Sequence, residues 1–150
     1  MTGVARLVDL AANDRAAVLA CLPVLRELRP HLGGEAEVLA QFARQAAEGY
    51  RLLAAVGADD VVLALAGWRF MENTVYGRFL YVDDLVSTAS ARGCGLGSRL
   101  IDALAERGRS AGCARLVLDS GVTNSAAHRF YFRERLTVGA LHFGRPLQPL

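Results

Sequence analysis

Residues Ser90–Leu100 read SARGCGLGSRL, with Gly93, Gly95 and Gly97 at alternate positions directly after Arg92. Glycine loses more backbone freedom on folding than any other residue, roughly 0.5–1 kcal/mol relative to alanine inside regular structure. Such spacing marks a segment whose backbone does what a side chain would block. A tight turn and close approach of a ligand to main-chain amides are the two ordinary uses; a flexible surface loop is the alternative. Leu96, Leu100, Ile101, Leu104 and Ala105 then recur at helical spacing, and Gly112 suits the helix's C-terminal end. Before the glycines, Arg78–Ser87 reads as a strand. The loop therefore joins a strand to a helix N-terminus, where the first N–H groups lack intrahelical partners and the dipole favours an anion. A phosphate fits there, and Arg92 adds a cation suited to phosphate oxygens.

Three phosphate loops compete. A P-loop needs GxxxxGK[ST], which is absent. A Rossmann loop needs GxGxxG; counting from Gly93, the third glycine is replaced by Ser98. Asp119 at the end of the next predicted strand keeps a nicotinamide-dinucleotide reading open, but Asp83 and Asp84 sit in a strand that such a fold would bury. The third pattern, R/Q-x-x-G-x-G/A, is met by Arg92-Gly93-Cys94-Gly95-Leu96-Gly97.

With its neighbours YVDDLVS and LVLDSGVTNSAAHRFYFRERL, this segment resembles the GNAT superfamily of acyl-CoA-dependent N-acetyltransferases over at least Arg78–Leu136. The resemblance implies an α/β (mixed α+β) fold. Its sheet is mostly antiparallel, with helices on both faces and a splayed fourth and fifth strand pair. It also implies acetyl-CoA as acyl donor and a primary amine, small molecule or peptide, as acceptor. Pyrophosphate would lie on Arg92–Ser98, and pantetheine along the backbone of Leu85, Val86 and Ser87 with Asn124 and Ala127. The family helix commonly ends in Gly-Phe; here Arg135-Leu136 stands in that place.

Amide formation from a thioester needs a neutral amine, an oxyanion donor and a proton for the departing sulfur. Tyr131, with a reference pKa of about 10, is the candidate acid. It is seven residues from Asn124, almost two turns, so both share one helix face with Ala127 between them. The ordinary alternative is that Phe130 and Tyr131 merely pack. Asp83 and Asp84 are candidates for drawing the proton from the amine through water. Strand alternation predicts that they point to opposite sides. Glu72 is a weaker alternative. Asn124 is read as a helix cap, a pantetheine contact, or both. His128 and His142 show no triad spacing and are read as structural.

The remaining chain is consistent with one domain of 150 residues, 53% hydrophobic and 21% charged. The net charge of +2 comes with no basic run, which argues against nucleic acid. Cys21, Cys94 and Cys113 form no CxxC pair and, with scattered histidines, predict neither disulfides nor a metal site. A reducing cytoplasmic setting is expected, and no membrane segment. Ala5–Leu10 reads as a strand and Asn13 or Asp14 as a cap, with the following helix interrupted at Pro23. Glu35–Glu48 reads as a helix, and Arg51–Val56 and Val61–Phe70 as a hairpin with a bulge at Gly67. Residues 71–77 read as a loop, Arg115–Ser120 as a strand, and a helix runs from Asn124 to about Arg135. Ala140–Leu147 reads as a closing strand, through which a homodimer could form. Two non-identical outcomes stay open: an active acetyltransferase, or a CoA-binding sensor that keeps the fold without turnover.

Overall fold

The computed structural model describes residues 4–149. They fall into two compact units, one ending at Leu118 and the other beginning at Asp119. The first holds a five-stranded sheet in the order β1-β2-β3-β4-β5. Its strands are β1 (Arg6–Leu10), β2 (Arg51–Val56), β3 (Val62–Asn73), β4 (Gly77–Ser87) and β5 (Leu116–Leu118). All neighbours are antiparallel except β4 and β5, which run parallel. Helices α1 (Arg15–Leu28) and α2 (Glu35–Ala47) cover one face, and α3 (Leu96–Ser110) covers the other. The expected mixed fold, with helices on both faces, is what forms.

Local chemistry explains the helices. Asp14 caps α1 by accepting from the Ala17 amide at 2.9 Å. Val18, Cys21, Leu22 and Leu25 then fall on one stripe and are buried. Pro23 lies inside α1 and does not break it, contrary to expectation. A mid-helix proline is unfavourable by about 3 kcal/mol. Here its neighbours Leu22, Val24 and Leu25 are all buried, and that packing carries the helix through. After α2, Gly49 adopts φ +93° and turns the chain. The amides of Gly49 and Tyr50 close the helix end on the carbonyls of Ala46 and Gln45. Tyr50 is thereby buried, its ring edge-on to Phe42 at 5.6 Å.

The β3–β4 hairpin is longer than expected. Met71 and Glu72 pair with Phe79 and Arg78, so residues 71–73 belong to the ladder. Only the turn lies outside it, with Asn73 Oδ1 accepting from the amides of Val75 and Tyr76. Met71, Glu72 and Asn73 are exposed, so this end of β3 continues the backbone ladder where hydrophobic alternation gives no signal.

The expected irregularity at Gly67 is present. Gly67 pairs with Asp84 and Trp68 with Val82, so Asp83 is an extra residue in β4. The extra residue exchanges the faces of the strand. Leu80 and Val82 pack on the α3 side, whereas Val86 packs on the α1/α2 side. A Cβ at residue 67 would collide with the Tyr50 hydroxyl and stand 2.5 Å from Tyr50 Cζ. Glycine is therefore required by the buried ring above it.

The second unit holds α4 (Ser125–Arg133) and a segment without regular structure. The closing strand expected over Ala140–Leu147 does not form. A strand is stabilised by ladder hydrogen bonds to a neighbour, and no strand pairs with this segment among the described residues. Arg135 takes φ +64°, a left-handed conformation that glycine adopts more freely.

The Gly67–Tyr50 contact makes a quantitative prediction. Gly67→Ala should lower stability in urea unfolding by about 1–3 kcal/mol. In the Gly67→Ala, Tyr50→Ala double variant the loss should fall short of the sum of the singles by about 1 kcal/mol or more. Additive losses would show that the two residues do not compete for the same space.

Candidate active site

A short 3-10 turn, Ala89–Ala91, leads from β4 into the glycine loop. Gly93 and Gly95 take φ +81° and +77°, and a Cβ on either would meet nothing within 4 Å. Backbone conformation, rather than crowding, is what calls for glycine there. Gly95 is the N-cap of α3 and gives the helix no side-chain cap. Leu96, Gly97 and Ser98 form the first turn of that helix. The amides of Gly93, Gly95, Leu96 and Gly97 donate to no acceptor among the described residues. A bare helix mouth behind two left-handed glycines is a fit for a phosphate or diphosphate. Cys94 is exposed within the loop.

Arg92 does not stand alone beside this mouth. Its Nε donates to the Ser87 carbonyl at 3.3 Å, and its Nη2 lies 3.6 Å from Glu27. The Glu27 carboxylate, from the last turn of α1, also accepts from Thr88 Oγ1 at 2.6 Å and the Ala89 amide at 2.9 Å. These contacts, that to Thr88 foremost, hold the Glu27 carboxyl below its ordinary pKa. One anion thus clamps the start of the loop and aims the guanidinium. With 61% of its side chain exposed, Arg92 keeps donors for a ligand.

Asp83 and Asp84 do not point to opposite sides of the strand. The extra residue in β4 cancels the alternation, and both carboxylates lie on the α1/α2 side. Asp84 accepts from Tyr50 Oη at 2.6 Å and Arg29 Nε at 3.0 Å. Arg29 also donates to the Asp83 carbonyl at 3.1 Å. Asp83 receives two bonds from Arg69, from Nε and Nη2, both at 3.0 Å. The Arg69 guanidinium stands over the Tyr50 ring at 5.3 Å. Burial, with the Asp84 charge behind it, pushes the Tyr50 hydroxyl well above its ordinary pKa, so it remains a donor. Burial also raises the Asp83 carboxyl, against the pull of Arg69. Glu72 is exposed on the hairpin extension.

The pairing of β4 with β5 covers Leu80–Val82 and Leu116–Leu118 and ends there. Beyond it β4 continues against β3 through Ser87. Leu85, Val86 and Ser87 therefore have no ladder partner on the β5 side among the described residues. This is the splay expected of the fourth and fifth strands.

In the second unit, Asn124 caps α4 by accepting from the Ala127 amide at 3.2 Å. That satisfies its oxygen and leaves its amide nitrogen as a donor. His128 Nε2 bonds the Gly121 carbonyl at 2.9 Å and secures the turn before the helix. His142 lies 3.4 Å from Asp119. Tyr131 is partly buried, its ring 5.5 Å from that of Phe130. The described residues contain no group of three or more His, Cys, Asp or Glu placed to hold a metal.

Comparison with known proteins decides the family. A model of the acetyltransferase (GNAT) family matches residues 19–136. The uncharacterized N-acetyltransferase YhdJ of Bacillus subtilis is 32% identical over 126 residues, 83% of this chain and 88% of that protein. The chain belongs to the GNAT acetyltransferase family. Glucosamine 6-phosphate N-acetyltransferase 1 of Oryza sativa is 38% identical over a shorter stretch, 45% of this chain and 48% of its own length. Among solved structures, an aminoglycoside N-acetyltransferase in complex with CoA superposes with a TM-score of 0.82 at 15% identity. It covers 99% of this chain and 97% of its own. An integron cassette protein of V. cholerae gives 0.79 at 23% identity, over 98% and 94% of the two chains. These structures share the GNAT fold.

Four residues of the site escape a reading of the GNAT motif: Glu27, Arg29, Tyr50 and Arg69. Each meets β4 or its loop from a distant part of the chain or from across a strand. Gly67 carried the one usable signal, an isolated glycine inside a strand pattern.

The Glu27 clamp is testable. A carboxyl held below its unfolded pKa contributes stability above that unfolded value and loses it as pH falls through the folded one. Acidification through the carboxylate range should lower the protection of the Ala89 amide, read as its exchange rate relative to the intrinsic rate at the same pH. Glu27→Gln should speed that exchange several-fold at neutral pH and flatten that acid dependence. An exchange rate unchanged by the substitution would show that Glu27 does not hold the loop.

Proposed function

We propose that this GNAT protein is a cytoplasmic N-acetyltransferase, one catalytic domain across its 150 residues. It would move the acetyl group of acetyl-CoA onto a primary amine, by direct attack in a ternary complex. The observation that carries the reading is the set of unpartnered amides at Gly93, Gly95, Leu96 and Gly97 beside Arg92. Such a cradle binds the diphosphate of CoA. Leu85, Val86 and Ser87 offer backbone for the pantetheine amides, in the manner of strand addition. Asn124 and Ala127 receive the pantetheine role by resemblance, and Tyr131 the role of proton donor to the departing sulfur. Acetyl-CoA supplies the activated acyl group; the chain's part is to bind it and manage protons. Asp83, whose carboxyl burial raises, and Asp84 are the candidate acceptors of the amine proton. No metal, nucleic acid or membrane enters the reaction; a homodimer is compatible with it.

One observation favours a second reading. Both carboxylates of β4 are already matched by Arg69, Arg29 and Tyr50. A chain with an intact phosphate cradle and occupied carboxylates could bind CoA as a sensor without turnover. A screen of amines with free-thiol detection separates the two, since only the enzyme releases CoA thiol in an amine-dependent way.

Two variants test the assignment. Gly95→Val cannot keep its left-handed backbone without strain, and should raise the CoA dissociation constant at least tenfold, about 1.4 kcal/mol. Unchanged affinity in a folded variant removes the loop from cofactor binding. Tyr131→Phe should lower turnover much more than CoA affinity. Equal turnover of the two proteins takes Tyr131 out of the proton path.

A further inference from the structure

A second recess lies on the α3 face of the first unit, away from the glycine loop. It is a cavity of about 720 Å³ lined by Asp9, Arg51, Trp68, Phe70 and Arg107, among others. Its floor is aromatic and apolar, and its size lies within the ordinary range of small-molecule sites. Residues 95 and 107 bracket most of α3, a separation of about 18 Å at 1.5 Å per residue. The cavity is therefore at the opposite end of the helix from the phosphate cradle.

Its polar groups are unbalanced in one direction. Trp68 is 2% exposed, and its indole Nε1 has no hydrogen-bond partner. Arg107 Nη1 is likewise buried and unpartnered. Both atoms can only donate, and buried donors ordinarily find acceptors. Arg51 adds a third set of donors. Its guanidinium stands over Trp68 at 5.4 Å and Phe70 at 5.6 Å. It forms no ion pair among the described residues, so it can swing aside without breaking one.

The acidic groups nearby are already engaged. Asp9 accepts from Arg107 Nη2 at 2.8 Å, and Glu106 from Arg109 at 3.0 Å. The carbonyls at the end of α3 are occupied as well. Those of Arg107, Gly108 and Arg109 accept the amides of Ala111, Cys113 and Gly112. What is missing from the recess is an acceptor with more than one oxygen, carried on a flat or apolar body.

We propose that this cavity is a second ligand site, taking a small molecule that joins an anionic oxygen group to an aromatic or apolar body. The anion would meet Arg51, Arg107 and the Trp68 N–H, and the body would lie along Phe70. The site is independent of acetyl transfer and stands whether or not the chain turns over.

Trp68 is the only tryptophan in the chain, so its fluorescence reports on this cavity directly. The probes are benzoate and phenyl phosphate, with benzamide as the neutral match and inorganic phosphate as the anion without a body. Fluorescence and calorimetric titrations of the full chain should show saturable binding of benzoate or phenyl phosphate. Benzamide and inorganic phosphate should bind at least tenfold more weakly. Arg51→Gln, at an exposed position, should weaken the aromatic anion at least tenfold while CoA affinity stays unchanged. Trp68→Phe keeps an aromatic ring, removes the N–H, and should weaken it in calorimetry. No saturable response to either anion overturns the proposal. So does equal binding of benzamide, or binding of the anions that Arg51→Gln and Trp68→Phe both leave intact.

Discussion

The hydroxyl of Tyr50 reaches Asp84 because residue 67 has no side chain. The ring passes where a Cβ would stand, and the resulting bond at 2.6 Å joins β2's leading edge to the middle of β4. From this contact the rest of the polar cluster can be built. Arg69 stacks on the same ring while holding Asp83, and Arg29 reaches from the end of α1 to hold Asp84. Buried carboxylates without such partners would be driven to the neutral form. The tyrosine and two arginines let adjacent aspartates sit side by side, partly buried, on one face of a strand.

The same economy of charge governs the loop. Glu27 collects a hydroxyl, an amide and a guanidinium at the point where β4 gives way to the glycines. Arg92 is thereby aimed without being neutralised by a close pair, since 3.6 Å is a loose contact and most of its side chain is exposed. The loop's amides point outward by conformation, and its cation is held by a neighbour that comes from another layer of the fold. The anion binding proposed for this place would be a property of α1 and β4 together as much as of the glycines.

What could be read from the sequence is what local chemistry determines. The glycine loop and the caps at Asp14 and Asn124 depend on residues close in the chain, and the irregularity at Gly67 shows as an isolated glycine inside a strand pattern. The Tyr50, Arg29 and Glu27 contacts span 34, 55 and 61 residues. No spacing rule reaches across such separations. The two aspartates depart from expectation for a local reason. Simple alternation is a sound rule for a regular strand, and one inserted residue defeats it. Propensity alone interrupts the helix at Pro23; the core that Leu22, Val24 and Leu25 enter carries it through. The expected closing strand failed because alternation describes a face, and a strand also needs a neighbour.

The extra residue in β4 acts as a parity switch. Every side chain between Asp84 and Ser87 owes its face to the single insertion at Asp83, and every one between Gly77 and Val82 owes its own to the hairpin turn. A one-residue gain or loss anywhere between these points inverts one half of the strand against the other. Two compensating changes on either side of Asp83 would slide the insertion along the strand and keep both faces intact. Chain length in this strand is thus constrained more tightly than residue identity, and drift in it should come in pairs.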